Sequence, residues 1–459
     1  MKKLEKRAIL CLLLAVVLVI GLIYFTVRLE VNGSDWASFY ANQHIYSKGT
    51  LCVGEVTDRE GRILLENSKD GPKYNDDSEI RKATFHVTGD PGFNIATAAN
   101  SAFRSRIIGY NFVTGTSGML TNKGREIQLT IDGAISKTAY EALTGRNGFV
   151  GVYNWKTGEI LAAVSTPTTD PQNPVSAENA PSGTYLNKVL SSSLTPGSTF
   201  KLVTSAAAID TLPDMDNWSF YCTGSHSIGG GTGKITCPRA HGNQDFYSAL
   251  ANSCNCAFAQ LAVDIGGETM AAYTEKLGLT TSYDINGIKT KAGSFNFDTY
   301  DINVGWGGIG QFEDQVNPLS MMVYMGAIAG NGTAASPVIL KEDSVVDKGK
   351  NLLGKDDSAR NGTVELLSSG TAAQLQQMMR NNVKVTYGDA NYAGLDLHAK
   401  SGTAEVGTGK MPHSWFTGYS GDYAFVVCVE NGGYGASVAG PVAGKVLQDM
   451  KDAGYIKES

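Results

Sequence analysis

Residues 8–27 form an uninterrupted run of twenty uncharged residues, nearly all of them apolar, close to the start of the chain. A helix of that length spans the hydrocarbon core of a bilayer. The run is preceded by four basic residues, Lys2, Lys3, Lys6 and Arg7. Because positive charge stays on the cytoplasmic side, the sequence predicts a cytoplasmic tail over 1–7 and an uncleaved single-pass anchor over 8–27. A cleaved signal peptide is the alternative, but the run is long for one and no small-x-small cleavage pattern follows it.

The rest of the chain is predicted to be an α+β protein. Its 459 residues are enough for two or three domains with a sizeable core, and a net charge of −6 gives no indication of nucleic-acid binding. Helices are predicted over 366–383 and 441–453. Strands over 395–399, 414–419 and 423–430 alternate like antiparallel neighbours. Strands and helices in separate runs favour an antiparallel sheet that helices cover.

The stretch Thr195–Lys201 carries the first candidate for chemistry. Its Pro196-Gly197 turn leads into an alanine-rich apolar segment that is typical of a buried helix. Ser198 then lies at the helix entrance, with Lys201 one turn later on the same face. A serine hydroxyl needs an adjacent base to become a nucleophile, and a lysine with a lowered pKa can be that base. Alone, the pattern fits an ordinary capped core helix equally well.

Two later stretches favour the catalytic interpretation. Ser253-Cys254-Asn255 lies in an apolar segment that is predicted to be helical over 247–264, and Lys400-Ser401-Gly402-Thr403 follows a predicted strand. The order Ser-x-x-Lys, Ser-x-Asn and Lys-Ser/Thr-Gly, with spacings of 55 and 147 residues, resembles the three signatures of the penicillin-binding proteins and serine β-lactamases. Residues 126–445 resemble a class B transpeptidase domain. Val56–Leu64 is similar to the hairpin that opens the extracytoplasmic part of that class.

Two other matches to these signatures are predicted to be structural. Lys156-Thr157-Gly158 fits the third signature but precedes the nucleophile and lies in a hairpin turn. Ser294-Phe295-Asn296 fits the second but lies in a glycine-rich loop.

The resemblance implies a role for each matching residue. Ser198 would be acylated, with Lys201 as its proton acceptor. Ser253 would relay protons, and Asn255 would orient Lys201 and the substrate amide. Lys400 would attract a terminal carboxylate. Gly402 would let the strand approach the acyl group, and Ser401 and Thr403 would bind the carboxylate through their hydroxyls. The backbone N–H groups of Ser198 and Thr403 would form the oxyanion hole.

The resemblance also implies an architecture and an activity. It predicts a small pedestal domain over 28–124 and a penicillin-binding/serine β-lactamase-like transpeptidase domain over 125–459, facing outward from the cell membrane. The expected reaction is D,D-transpeptidation of peptidoglycan stem peptides, with β-lactams as acylating inhibitors and no cofactor for the chemistry. A polytopic lipid-II glycosyltransferase is the expected partner. The alternatives are a D,D-carboxypeptidase, a β-lactamase, and a β-lactam sensor or non-catalytic scaffold.

A doubled Cys-x-x-x-His spacing departs from the family pattern. Cys222 and His226 repeat as Cys237 and His241, although the chain has only six histidines. Two cysteines and two histidines can close a tetrahedral zinc site, so these four residues are candidate ligands of a structural zinc ion. A Cys222–Cys237 disulfide and free thiols remain as alternatives.

Overall fold

The chain begins with one long helix, Lys2–Ala37. Its part Lys2–Gly33 is long and apolar enough to cross a membrane, with a mean hydropathy of 3.1 in its most apolar window, none of which is buried. The computed structural model describes residues 2–39, 41–42, 46–47, 50–51, 54–68, 70–108, 110–111, 115–116, 125–229, 233–297, 300–341 and 362–457.

Helices and strands occur along the whole described part of the chain. In chain order the α-helices are α1 (Lys2–Ala37), α2 (Ser78–Thr88), α3 (Ala99–Ala102), α4 (Arg104–Ile107), α5 (Gly133–Leu143), α6 (Lys188–Ser191), α7 (Lys201–Thr211), α8 (Phe246–Ala251), α9 (Asn255–Ile265), α10 (Gly267–Lys276), α11 (Asp301–Gly307), α12 (Pro318–Ala329), α13 (Ser369–Asn382) and α14 (Gly435–Asp452). The strands are β1 (Tyr46–Ser47), β2 (Thr50–Leu51), β3 (Gly54–Thr57), β4 (Ile63–Ser68), β5 (Gly71–Tyr74), β6 (Tyr110–Asn111), β7 (Gly115–Thr116), β8 (Glu126–Gln128), β9 (Gly148–Asn154), β10 (Ile160–Thr166), β11 (Ser219–Cys222), β12 (Ser225–Ser227), β13 (Lys234–Thr236), β14 (Gly242–Asp245), β15 (Asp284–Ile285), β16 (Ile288–Lys289), β17 (Thr333–Ala335), β18 (Thr363–Glu365), β19 (His398–Ala404), β20 (His413–Ser420) and β21 (Tyr423–Val429).

A five-stranded antiparallel sheet in the order β10-β9-β21-β20-β19 is the centre of the larger domain. One row of partners crosses all five strands: Lys400, Thr417, Val426, Gly151 and Ala163. Directly paired residues point to the same face of a sheet. The row therefore places Lys400 on one defined face, at the outer strand β19.

Helices cover both faces of this sheet. The Lys400 face packs against α12, which is apolar on all sides and buried over almost its whole length. The opposite face packs against α5 and α14, through residues such as Val152, Phe425 and Val446. The predicted α+β class, with an antiparallel sheet flanked by helices, is thus confirmed.

A second sheet, in the order β5-β4-β3-β8, lies in the N-terminal part. Strand β8 pairs in parallel with β3, so the sheet includes a strand from beyond the predicted pedestal boundary at 124. Buried Asp58 in the β3–β4 turn accepts hydrogen bonds from the Arg62 side chain and from the Gly133 N–H at the start of α5. The two parts of the chain are therefore joined by a shared sheet strand and by the hydrogen bond from the Gly133 N–H to the buried Asp58 carboxylate.

Candidate active site

Ser198 lies on a short 3₁₀ turn, Gly197–Phe200, that leads directly into α7. Gly197 has a φ of +56°, and a Cβ there would lie 2.6 Å from the Thr403 oxygen. A side chain is also excluded at Gly310, because a Cβ there would lie 2.1 Å from the Gly197 oxygen. The two glycines therefore let the nucleophile turn pack directly on β19.

Ser253 lies between two helices rather than inside one. The predicted continuous helix over 247–264 is wrong, because α8 ends at Ala251 and α9 begins at Asn255. Ser253 adopts a φ of +52°, a left-handed conformation that is uncommon for residues with a side chain. The break turns the Ser253 backbone oxygen and its side chain toward Lys201. The contacts around Ser253 hold it in this strained conformation.

The Lys201 amine lies within hydrogen-bond distance of residues from both of the first two signatures. Its Nζ lies 3.0 Å from Ser198 Oγ, 2.7 Å from the Ser253 backbone oxygen and 2.8 Å from Asn255 Oδ1. Ser253 Oγ is slightly farther away, at 3.2 Å. Lys201 has no exposed surface.

The second buried amine, Lys400, completes the cluster from the sheet. Its Nζ lies 3.0 Å from Ser253 Oγ and 2.8 Å from the Ser401 backbone oxygen. The Ser253 hydroxyl thus lies within hydrogen-bond distance of both lysines. Burial lowers the pKa of Lys400 well below its ordinary value, and the positive charge of Lys201 lowers it further.

Burial also changes the pKa of Lys201. Removal of the amine from water lowers its pKa to about 8, although the neighbouring thiol groups of Cys254, Cys237 and Cys256 act in the opposite direction. About a tenth of Lys201 is therefore neutral at pH 7, a far larger share than for a lysine in water. Only the neutral amine has a lone pair that can accept a proton.

The hydroxyls of Ser401 and Thr403, in the third signature, remain available to donate hydrogen bonds to a ligand. Tyr387 Oη, on a π-helical turn over Val383–Tyr387, donates to Ser401 Oγ at 3.1 Å and accepts the Ser401 N–H at 2.8 Å. Thr403 Oγ1 accepts the N–H of Gly435, the first residue of α14. Each of these bonds uses the hydroxyl oxygen as acceptor, so each hydroxyl can still donate to a bound carboxylate.

The Thr403 N–H faces the outer edge of the sheet. The Ser401 N–H points away from β20, since it donates to Tyr387. Backbone groups two residues apart on a strand point to the same side, which places the Thr403 N–H on the same open edge. The Thr403 oxygen, 3.5 Å from Gln311 Nε2, lies on that edge as well. Ser198, on the turn packed against this strand, approaches the sheet from the same side.

The two other matches to the signatures have structural roles, as predicted. Lys156 and Thr157 donate their backbone N–H groups to Asn154 Oδ1 in the β9–β10 turn, and the Lys156 amine pairs with exposed Asp422. Ser294 pairs with Gln315 through backbone hydrogen bonds.

The candidate zinc ligands are only partly the predicted ones. Cys222, Cys237 and His241 lie together, but His226 does not join them, because its Nε2 lies 2.8 Å from Gln260 Oε1 and its ring packs on Phe220. The fourth member of the cluster is Cys254, the central residue of the second signature. The prediction that included His226 is therefore wrong on this point.

Two contributors were missed from the sequence. Cys254 lies in a segment that its composition predicts to be one continuous helix, and its place between Ser253 and Asn255 is the one sequence signal for it. Tyr387 carries no motif, and only the fold brings it to β19.

Comparisons with known proteins agree with this geometry. The model of the penicillin binding protein transpeptidase domain matches residues 148–448. This chain belongs to the penicillin-binding protein transpeptidase family. The predicted place among the class B penicillin-binding proteins is confirmed.

Relatives of this penicillin-binding protein cover most of its length. Peptidoglycan D,D-transpeptidase PbpA of Mycolicibacterium smegmatis is 26% identical over an alignment of 361 positions, which covers 69% of this chain and 70% of that protein. Stage V sporulation protein D of Bacillus subtilis is 26% identical over 71% of this chain and 53% of its own length. The structure of penicillin-binding protein A from M. tuberculosis, a ceftriaxone acyl-enzyme complex, superposes with a TM-score of 0.73 at 21% identity. It covers 86% of this chain and 97% of that one, and it shows a common fold.

The neutral state of Lys201 predicts the pH dependence of acylation. Below pH 8 the ammonium form has no lone pair for the Ser198 proton, so the rate of acylation by a penicillin should fall about tenfold per pH unit. Above pH 8 the rate should level off. Stopped-flow acylation measured between pH 6 and 9, with circular dichroism as a folding control, checks this. A rate that does not change from pH 6 to pH 8 would contradict the assignment of Lys201 as the base.

The contacts of Tyr387 predict a binding role for its hydroxyl. In Tyr387→Phe, Ser401 loses both the donor and the acceptor that hold it, and each such hydrogen bond contributes about 1 kcal/mol. The apparent dissociation constant for a penicillin before acylation should rise about tenfold, with a smaller change in the rate at saturation.

Tyr392→Phe is the matched control, because both tyrosine rings pack on Phe416. Equal behaviour of the two variants in the same acylation assay would rule out a specific role for the Tyr387 hydroxyl.

Proposed function

We propose that this protein is a peptidoglycan D,D-transpeptidase that acts through an acyl-enzyme on Ser198. The observation that carries the proposal is the Lys201 amine, which is buried and lies 3.0 Å from Ser198 Oγ. The Ser198 oxygen attacks the carbonyl carbon between the two terminal D-alanines of a stem peptide. The bond to the last D-alanine breaks, and an amine of a neighbouring stem later replaces Ser198 on the same carbon.

The hydrogen bonds around Lys201 support its role as the base. A neutral amine has two N–H donors and one lone pair. The Ser253 backbone oxygen and Asn255 Oδ1 are acceptors only, and they occupy both N–H groups. The lone pair is then left for the Ser198 hydroxyl. The first two signatures thus place the amine so that it accepts the serine proton rather than donating to it.

Ser253 connects the base to the leaving group. Its hydroxyl lies 3.2 Å from Lys201 Nζ and 3.0 Å from Lys400 Nζ. The proton that Lys201 takes from Ser198 passes through the Ser253 hydroxyl to the nitrogen of the departing D-alanine. In the second half-reaction the proton of the incoming amine returns along the same route. When Lys201 is neutral, its charge no longer lowers the pKa of Lys400, and Lys400 would supply positive charge for the terminal carboxylate and for this relay.

The edge of β19 supports substrate binding. The Thr403 N–H on that edge and the Ser198 N–H would form the oxyanion hole, where each donor removed costs roughly 3–4 kcal/mol of barrier. The hydroxyls of Ser401 and Thr403, whose oxygens are already occupied as acceptors, donate to the substrate carboxylate. β-Lactams place a carboxylate and a strained carbonyl in the same arrangement, so they would acylate Ser198.

The comparisons favour transpeptidation over the alternatives. PbpA of M. smegmatis carries the name of a peptidoglycan D,D-transpeptidase, and penicillin-binding protein A of M. tuberculosis has been solved as a ceftriaxone acyl-enzyme. All three signatures are intact and converge within hydrogen-bond distance, which disfavours a non-catalytic scaffold.

Adduct formation on the full-length protein in detergent tests the nucleophile. A labelled penicillin should give one stable adduct by intact mass, and Ser198→Ala should abolish it. Ser294→Ala, in the structural look-alike of the second signature, should leave it unchanged. No adduct on folded protein would overturn the catalytic reading, and an adduct lost within seconds would indicate a β-lactamase.

Product analysis with stem pentapeptides in the same preparation tests the acceptor. A cross-linked dimer together with released D-alanine supports transpeptidation, and both should fall at least ~1,000-fold in Ser198→Ala. Release of D-alanine without any cross-linked product, in the presence of an acceptor amine, would indicate a carboxypeptidase.

The apolar helix Lys2–Gly33 and its flanking basic residues support a membrane-anchored enzyme whose catalytic domain faces outward. A polytopic lipid-II glycosyltransferase is proposed as its partner by resemblance to the class B family. In spheroplasts, added protease should digest the 148–448 domain and leave an N-terminal tag intact. Mild detergent extraction from native membranes should retain the glycosyltransferase. Protection of the catalytic domain would contradict the topology, and purification without a polymerase would contradict the partner.

A further inference from the structure

We propose that Cys222, Cys237, His241 and Cys254 bind one structural zinc ion that holds the second signature in place. The four ligand atoms lie within 4.8 Å of one another. Three thiolates and one imidazole form a standard donor set for a closed tetrahedral zinc site. Cys222 and Cys254 are fully buried, and the other two are half-buried.

The spacing of the ligand atoms fits a tetrahedron around zinc. With Zn–S bonds of about 2.3 Å and a Zn–N bond of about 2.0 Å, neighbouring sulfurs lie about 3.8 Å apart and a sulfur and a nitrogen about 3.5 Å apart. Cys237 Sγ and Cys254 Sγ are 3.7 Å apart, and Cys222 Sγ and His241 Nδ1 are 3.5 Å apart. Two of the edges thus match zinc coordination. The six cysteines that the structure describes are all unpaired, including these three.

Two of the sulfurs accept hydrogen bonds from backbone N–H groups, as zinc-bound thiolates commonly do. The Gly224 N–H points at Cys222 Sγ and the Cys256 N–H at Cys237 Sγ, each at 3.4 Å. Such bonds stabilise the negative charge of zinc-bound sulfur and orient it.

The four ligands come from separate elements. Cys222 ends β11, Cys237 follows β13, His241 precedes β14, and Cys254 precedes α9. One ion would therefore fasten the two small sheets, β11-β14 and β12-β13, to the loop that carries Ser253.

Cys254 connects the zinc site to the residues around the Lys201 amine. Its neighbours are Ser253 and Asn255, both in contact with the Lys201 amine. Asn255 also donates from Nδ2 to the Thr236 oxygen at 2.9 Å, next to Cys237. An ion that binds Cys237 and Cys254 fixes this bond from both sides and directs Asn255 Oδ1 at Lys201. This link to acylation rests on the proposed function, whereas the metal site does not.

The zinc content of variants distinguishes the four proposed ligands from nearby residues that are not ligands. Full-length protein, purified in detergent without a polyhistidine tag, should contain one zinc ion per chain by mass spectrometry of the metal. Its X-ray absorption spectrum should show three sulfurs at about 2.3 Å and one nitrogen at about 2.0–2.1 Å. His241→Gln and Cys222→Ser should lose the zinc. His226→Gln and Cys256→Ser, which change neighbouring residues outside the set, should retain it.

Three results would overturn the zinc site. They are zinc-free wild-type protein after purification in zinc-containing buffer, a Cys222–Cys237 disulfide by peptide mapping, and loss of zinc from His226→Gln but not from His241→Gln. The metal content and absorption spectrum of the wild type decide the question even if a ligand variant fails to fold.

Chelation tests the link between zinc and acylation. Removal of zinc with a membrane-permeant chelator should slow penicillin acylation of Ser198 about 100-fold, because small displacements of catalytic groups have effects of that size. Added zinc should restore the rate. An unchanged rate in zinc-free protein would overturn the positioning role while leaving both the metal site and the acyl-enzyme intact. Zinc-loaded protein that forms no adduct would instead count against the proposed function.

Discussion

The site depends on one buried amine. Lys201 has no access to water, and a buried charge is expensive, so burial lowers its pKa to about 8 and raises the share of its neutral form. Two oxygens that can only accept, from Ser253 and Asn255, then determine which way its lone pair points. A serine hydroxyl in that direction becomes a nucleophile. The rest of the fold brings the Ser198 turn and the Ser253–Asn255 segment to this nitrogen atom, and Lys400 to the Ser253 hydroxyl.

Close backbone packing makes this convergence possible. The Ser198 turn touches β19 because neither Gly197 nor Gly310 has a side chain, and β19 in turn brings Lys400 to the Ser253 hydroxyl. The sheet supplies rigidity, since the row that contains Lys400 continues through Thr417 and Val426 to strands buried on both faces. A small shift of β19 would displace the Lys400 amine from the Ser253 hydroxyl and move the Thr403 N–H at the same time.

Much of this arrangement could be predicted from local patterns. The order of the three signatures places Ser198, Lys201, Ser253, Asn255 and Lys400 in one site, and the structure brings them within hydrogen-bond distance. Alternating apolar residues predicted the strands on either side of the 421–422 turn. The rest depends on tertiary contacts. A left-handed Ser253 breaks an apolar segment that has helical composition throughout, and this break turns Cys254 toward Cys237. Three residues of the doubled Cys-x-x-x-His spacing lie in one cluster with Cys254, whereas His226 is held apart by its contacts with Phe220 and Gln260.

The most direct test of the account is a crystal structure of the protein after reaction with a penicillin. The account predicts continuous density from Ser198 Oγ to the opened lactam, with its carbonyl oxygen between the N–H groups of Ser198 and Thr403. The penicillin carboxylate should contact the hydroxyls of Ser401 and Thr403, and Lys201 should remain bonded to Asn255. Density on another side chain, or a carbonyl oxygen directed away from β19, would contradict it.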